Sequence, residues 1–258
     1  MVAVQDLSKI YETKKTKTEA LANISFDLGK REIVAFMGGS GCGKTTLAKI
    51  LAGMEEATSG SYFLDGVDCS AGIPNEMKQR IAYIFQDHNL LPWRSVEQNL
   101  MLPLEIFGKQ KDPVYLENLE QALKTVGLSE YRTCLPQELS GGMMQRVGIA
   151  RALTIDAEFF VMDQPFGALD AITRRRLYFD FLKIFRETEK TVLLVTNSIE
   201  EAILFSDRIY MLNGKPGQIE QVIDVPFAYD KRTPAIFREP HFLDLRLQVM
   251  ECVKRQIS

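Results

Sequence analysis

Glu32-Ile33-Val34-Ala35-Phe36-Met37 runs straight into Gly38-Gly39-Ser40-Gly41-Cys42-Gly43-Lys44-Thr45, and this junction decides the fold. An apolar run of this length reads as a strand buried on both faces. The glycines behind it let backbone N–H groups curl around an anion without Cβ clashes. The apolar pattern over 45–52 predicts a helix, whose positive N-terminal end would point at the same anion. G-x-x-x-x-G-K-[ST] between a strand and a helix therefore predicts a cradle for a nucleoside triphosphate, extending through Thr46. Lys44 would reach the β- and γ-phosphates, and the Thr45 hydroxyl would be available to Mg²⁺.

Outward from this loop, short apolar runs alternate with longer helical patterns, the signature of an α/β fold around a largely parallel sheet. Phe159-Phe160-Val161-Met162 and Thr191-Val192-Leu193-Leu194-Val195 read as two more buried strands. Val114, Leu116, Leu119, Leu123 and Val126 keep helical spacing, with Gly127 as the stop, and 87–153 reads as a mostly helical insertion. From about Pro226 the polarity is mixed. A helix near 243–253 is expected there, within a C-terminal appendage over 229–258 that follows a main body over 1–228.

Composition narrows the class. The chain has 258 residues, 46% hydrophobic and 25% charged, which suits one sizeable core. A net charge of -3 gives no footprint for nucleic acid, and Arg174-Arg175-Arg176 reads as a solvated helix face. Cys42, Cys69, Cys134 and Cys252 are scattered without a Cys-x-x-Cys pair, which argues against a disulfide framework or a structural zinc. No secretory leader is visible, and no apolar run approaches the roughly 18 residues of a membrane span.

Leu139-Ser140-Gly141-Gly142-Met143-Met144-Gln145-Arg146 is the more diagnostic stretch. Following the phosphate loop and preceding an Asp-ending strand, it resembles the signature loop of ATP-binding-cassette (ABC) ATPases, usually LSGGQ, with Met143 in place of Gln. The resemblance covers nearly the whole chain. It implies a P-loop NTPase (RecA-like) core with an inserted helical subdomain and a small antiparallel β part near the N-terminus. It also implies that Ser140 and the adjoining N–H groups close over the ATP of a second cassette. Other family positions follow in order. Tyr11 matches the ring that stacks on adenine, although an edge-strand packing role would also explain it. Gln86 and Asp163 match the residues that attend Mg²⁺, and Ala168-Leu169-Asp170 matches the loop through which paired sites communicate.

Two positions depart from the family. Asp163-Gln164-Pro165 stands where Asp-Glu-Pro is usual, and an amide cannot accept the proton of an attacking water as a carboxylate can. Asn197, in Thr196-Asn197-Ser198, stands where the family has a His at the γ-phosphate. The expectation is a site that holds MgATP and cleaves it slowly, paired with a different, catalytic cassette. A non-hydrolysing regulatory switch, or an engineered ATP-trapping Gln164, stays open as an alternative.

His88-Asn89-Leu90-Leu91-Pro92-Trp93 and Lys215-Pro216-Gly217-Gln218-Ile219 are similar to bacterial importers of the nitrate, sulfonate and taurine group. That implies permease subunits in the membrane, an extracytoplasmic solute-binding protein, no nucleic acid, and a peripheral place on the cytoplasmic side of the plasma membrane. Trp93 is read either as an exposed docking residue for the permease or as a core residue of the helical insertion.

Overall fold

The computed structural model describes residues 1–13, 16–87, 89–167 and 171–255, with side chains except at 171–173 and 186. The chain divides into two compact units, one made of 1–78 with 191–258, the other of 79–190.

In the first unit, alternation sets the N-terminal sheet. Along Ala22–Leu28 every second residue is buried, the period of a strand with one wet face. Strands β1 (Val2–Glu12), β2 (Lys17–Leu28), β4 (Ser59–Leu64) and β5 (Val67–Asp68) form an antiparallel sheet ordered β2-β1-β4-β5. The expected small antiparallel part is thus present. The quoted apolar run is β3 (Ile33–Gly38), fully buried from Ile33 to Met37. It lies between β8 (Thr191–Val195) and β9 (Arg208–Asn213), parallel to both, and β10 (Gln218–Asp224) closes the edge antiparallel to β9. Phe26 of β2 meets Phe36 of β3 edge-on at 4.9 Å, and Phe36 stacks on Tyr210 of β9 at 4.9 Å. These rings are the apolar layer between the two sheets of this unit.

Helix α1 (Lys44–Leu51) follows the glycine loop directly, and α2 (Asn75–Lys78) is a single turn. At the C-terminal end, α7 (Ile199–Phe205) packs against α8 (Pro240–Arg255). Helix α8 opens three residues before the expected 243, because proline is well placed in a first helical turn. Phe242, Leu245, Val249 and Cys252 form its buried stripe.

The loop before α8 is fixed by Arg232, whose side chain is wholly buried. Its guanidinium donates to the carbonyls of Leu204 at 3.1 Å and Phe227 at 2.9 Å, pairs with Asp207 at 3.4 Å, and lies 4.1 Å from the Tyr229 ring centroid. Burial depresses its pKa, while Tyr229 and Asp207 push the other way.

The second unit holds two parallel strands, β6 (Ile81–Ile84) and β7 (Phe159–Asp163), with α3 (Val96–Ile106), α4 (Pro113–Thr125), α5 (Gly141–Thr154) and α6 (Ala171–Thr188). Gly127, at φ +69°, takes the left-handed position just past α4. The expected apolar stripe of α4 is a turn shorter than its spacing suggests: Leu119 and Leu123 are buried, whereas Val114 and Leu116 are exposed. Arg175 and Arg176 are solvated on α6, but Arg174 is half-buried and donates to the Phe166 carbonyl at 3.1 Å. All four cysteines are free, and among the described residues no helix is long and apolar enough to cross a membrane.

Truncating Arg232 would leave two buried carbonyls and the Asp207 carboxylate without their donor. Arg232→Ala is expected to lower unfolding free energy by about 2–4 kcal/mol, the range for breaking one side of a buried, partly solvated pair. Urea denaturation followed by circular dichroism measures it, and a loss under about 1 kcal/mol would contradict this account of the C-terminal segment.

Candidate functional site

In the first unit the site grows out of the β3–α1 junction. Gly43 caps α1 with φ +89°, and a Cβ there would run into the Leu21 side chain and the Ala20 carbonyl. Only glycine meets both the sign of φ and the space. Lys44 is 6% exposed; its Nζ donates to the Gly38 carbonyl at 2.8 Å and the Gly39 carbonyl at 2.9 Å. Its third proton faces the Cys42 sulfur at 3.6 Å, a weak acceptor that a phosphate oxygen outcompetes. The ammonium is therefore held inside the loop formed by Gly38, Gly39, Ser40, Gly41, Cys42 and Gly43, rather than waving in solvent. Thr45 and Thr46 occupy the first turn of α1.

Strand pairing brings a second element to this edge. Phe36 of β3 lies opposite Val195 of β8, and the Thr196 amide donates to the Phe36 carbonyl at 3.2 Å. The phosphate loop and Asn197 thus leave the same end of two adjacent parallel strands. Asn197 is exposed. Its neighbours are fixed: Ser198 accepts from the Glu201 amide at 3.3 Å as the N-cap of α7, and the Thr196 hydroxyl donates to the buried Glu201 carboxylate. Tyr11, near the end of β1, is 37% exposed, and its hydroxyl donates to Glu55.

The second unit carries the other candidates. Ile84 and Met162 are register partners, so Gln86 and the pair Asp163-Gln164 follow the same end of β6 and β7. The Tyr83 hydroxyl donates to Asp163 Oδ2 at 3.1 Å. Asp163 Oδ1 is buried with no hydrogen-bond partner among the described residues. A carboxylate oxygen withdrawn from water in this way suits a cation or a cation's water shell, so the donor chemistry fits a hard ion such as Mg²⁺. Gln164 takes φ +49° and accepts from the Gly167 amide at 3.0 Å, closing a tight turn. A Cβ on Gly167 would lie 3.2 Å from Gln86 Nε2, so the Gln86 amide rests against that turn.

Ser140 is the N-cap of α5 and accepts from the Met143 amide at 3.3 Å, leaving Gly141 and Gly142 to open the helix after Leu139. A Cβ on Gly142 would meet Leu177 Cδ1 at 2.8 Å, so this glycine sets how closely α5 and α6 approach. Ala168-Leu169-Asp170 and His88 lie outside the described residues.

A groove of about 180 Å³ is lined in part by Tyr83, Phe85, Pro103, Gln145, Arg151 and Ile155. Burial depresses the Arg151 pKa, and its guanidinium donates to the Asn89 carbonyl at 3.1 Å. Trp93 is 72% exposed, which excludes the core-residue alternative. Its loop is stapled by buried Asn99, which accepts from the Leu91 amide at 2.9 Å and donates to the Arg94 carbonyl at 2.9 Å. Sequence reading overlooked Asn99, Tyr83, Glu201 and Glu55. Only Asn99 had a signal, since Ser95 and Gln98 make a capping box that fixes the next residue in the first turn of α3.

Residues 21–167 match the model of the ABC transporter family. The chain is 35% identical to the nitrate import ATP-binding protein NrtD of Synechococcus elongatus, over 98% of this chain and 91% of that protein. It is 38% identical to the taurine import ATP-binding protein TauB of Pelagibacter ubique, over 96% and 93% respectively. Among solved structures, it is similar to the dimeric post-hydrolysis state of the ATP-binding cassette MJ0796 bound to ADP and Pi. That match has a TM-score of 0.73 and 30% identity, covering 88% of this chain and all of the other. The phosphate loop at the β3–α1 junction and the antiparallel sheet beside it are those of a P-loop NTPase of this kind, and the chain belongs to the ABC transporter family as an ABC-type ATPase.

Proposed function

We propose that this chain is the ATP-binding subunit of a bacterial importer of the nitrate, sulfonate and taurine group, with a site that binds MgATP well and cleaves it poorly. The observation that carries the nucleotide reading is Lys44, folded into a glycine loop at the head of α1 with one proton available to a phosphate. The importer reading rests on relatives whose names describe import ATP-binding proteins and that match this chain from end to end.

In this reading the N–H groups of Gly39 to Thr46 and the Lys44 ammonium bind the triphosphate, and Tyr11 offers its ring to the base. By the family resemblance Thr45, Gln86 and Asp163 would each attend Mg²⁺; the orphaned Asp163 Oδ1 supports the part given to Asp163. When bound, the ion neutralises charge on the phosphate oxygens. Gln164 orients water through its amide but accepts no proton, a loss of about 10²–10⁴ in rate where general-base help matters. Asn197 donates a neutral hydrogen bond where a histidine would bring a cation. Losses within one catalytic unit do not multiply, so the two changes act as a single impairment.

Binding without efficient cleavage makes sense if a second cassette supplies an intact site. The Ser140-Gly141-Gly142 start of α5 then closes over the partner's ATP as a helix-terminal anion site. A cassette body over 1–228 with its helical insertion at 87–153 carries these functions, and 229–258 is an appendage to it. The exposed Trp93 docks the permease, the groove lined by Tyr83 and Phe85 is a further candidate surface for it, and an extracytoplasmic protein delivers the solute to that permease. The chain works at the cytoplasmic face of the plasma membrane. A non-hydrolysing switch is the second reading, favoured by the coincidence of Gln164 and Asn197. A lone ATP-bound homodimer on purification would support that reading instead.

Restoring both groups, Gln164→Glu with Asn197→His, is expected to raise turnover at this chain's own site at least about tenfold, measured in a complex whose partner cassette has been catalytically inactivated; an unchanged rate would show that these positions do not limit turnover. Ser140→Arg should abolish turnover of the complex while calorimetry finds MgATP affinity of this chain within about twofold of wild type. Undiminished turnover would sink the trans-closure reading. Trp93→Glu should strip the permease from the chain during affinity purification, and full retention would place docking elsewhere.

A further inference from the structure

Tyr11 lies near the end of β1, with its ring partly exposed. Strand β1 changes register against β2 between Leu7 and Lys9 and again between Lys9 and Ile10. From Ile10 onward the pairing is regular, with Tyr11 opposite Thr18; the ladder fixes the Tyr11 backbone, while the rotamer of its ring is set by what the side chain meets beyond the strand. One carboxylate supplies that contact. Glu55, just beyond the end of α1, accepts from the Tyr11 hydroxyl through Oε2. The same Oε2 lies 3.9 Å from the Lys9 ammonium, and Oε1 lies 3.6 Å from the Lys49 ammonium in the last turn of α1. The Tyr11 oxygen is also 3.4 Å from the Thr46 hydroxyl in the first turn of that helix.

Lys9 adds a second restriction. Its ammonium sits 4.9 Å from the centroid of the Tyr11 ring and donates to the Glu56 carbonyl at 2.7 Å, which keeps it there. One face of the ring is thereby covered by a cation, so a base stacks on the other face alone. The phenol pKa is raised, first by burial and then by its bond to Glu55, so the hydroxyl remains a donor at neutral pH.

We infer that Glu55 is a positioning residue for the nucleotide base: it holds the Tyr11 ring at a fixed place relative to the helix that begins with Lys44 and Thr45. This rests on the reading of Tyr11 as the base platform. Fixing the ring beforehand removes part of the ordering cost that base binding would otherwise incur. The expected loss on removing the tether is that of one hydrogen bond to a charged but partly solvated group, roughly fivefold in affinity.

A structural carboxylate and a positioning one differ in a measurable ratio. Mg-tripolyphosphate carries the phosphates without a base, so the affinity ratio of MgATP to Mg-tripolyphosphate, measured by calorimetry on the full chain, isolates the base contribution. Glu55→Ala is expected to lower that ratio about fivefold with tripolyphosphate affinity unchanged. Glu55→Gln keeps an acceptor for the phenol and should lose less than about twofold. Tyr11→Ala serves as the reference. If Tyr11→Ala lowers the ratio and Glu55→Ala does not, or if Glu55→Ala weakens both ligands equally, Glu55 has no positioning role. Should Tyr11→Ala leave the ratio unchanged, the platform reading fails and the role of Glu55 goes with it.

Discussion

The site proposed in the first unit answers one electrostatic problem, the binding of a chain of phosphates by groups that carry no net negative charge themselves. Backbone N–H groups solve it only where the chain turns sharply out of a rigid element and enters a helix. The end of a buried parallel strand is such a place, because neighbouring strands prevent it from moving. Strand β3 lies between β8 and β9, and its apolar residues are almost completely removed from water. The loop therefore inherits the rigidity of the sheet, and Lys44 is fastened to it through the carbonyls of Gly38 and Gly39.

Groups that bind phosphate and groups that break the phosphate bond are under different constraints. The binding donors are backbone atoms, so the fold itself maintains them. The chemistry depends on individual side chains at strand ends, where replacement disturbs little. Asn197 is exposed and Gln164 is half-buried in a turn; neither anchors a core. An amide in place of a carboxylate has nearly the same shape and keeps hydrogen-bonding capacity while losing the charge and the proton acceptor. A site can consequently lose catalytic power while its architecture persists. The neighbouring Asp163 could not change so freely, since it is buried and held by Tyr83.

Much of this was legible from residue order. Thr191–Val195 is the strand its apolar run suggested, because a buried parallel strand needs no alternation and shows none. Gly43, Lys44 and the start of α1 follow from a motif whose every residue has a local physical reason. The limits of local reasoning appear at α4, where helical spacing included Val114 and Leu116, yet both are solvated. Periodicity gives the face of a helix but not how far a neighbour covers it. The pairs Tyr11–Glu55, Tyr83–Asp163 and Thr196–Glu201 were out of reach for a related reason. The first two join residues distant in sequence, and the third requires knowing that α7 folds back on the end of β8. Trp93 was ambiguous in sequence because exposure of an aromatic residue is decided by its loop, and that loop is set by Asn99.

The groove on the second unit also bears on how a partner's state would reach Asp163. The Tyr83 and Phe85 rings meet at a tilt of 57° with centroids 4.5 Å apart, and both line the groove on the second unit. Tyr83 holds Asp163 through its hydroxyl, and the next residue after Phe85 is Gln86, whose amide rests against the Gln164–Gly167 turn. A permease segment seated in the groove would thus press on the same short stretch of chain that holds the proposed metal-binding carboxylate and rests against the Gln164–Gly167 turn. Such a linkage needs no long pathway, because three residues within the four-residue stretch 83–86 serve both the groove and the Asp163 turn. Under the proposed reading, the connection from the groove to the Asp163 carboxylate runs through Tyr83, Phe85 and Gln86, and none of these depends on a glutamate at position 164.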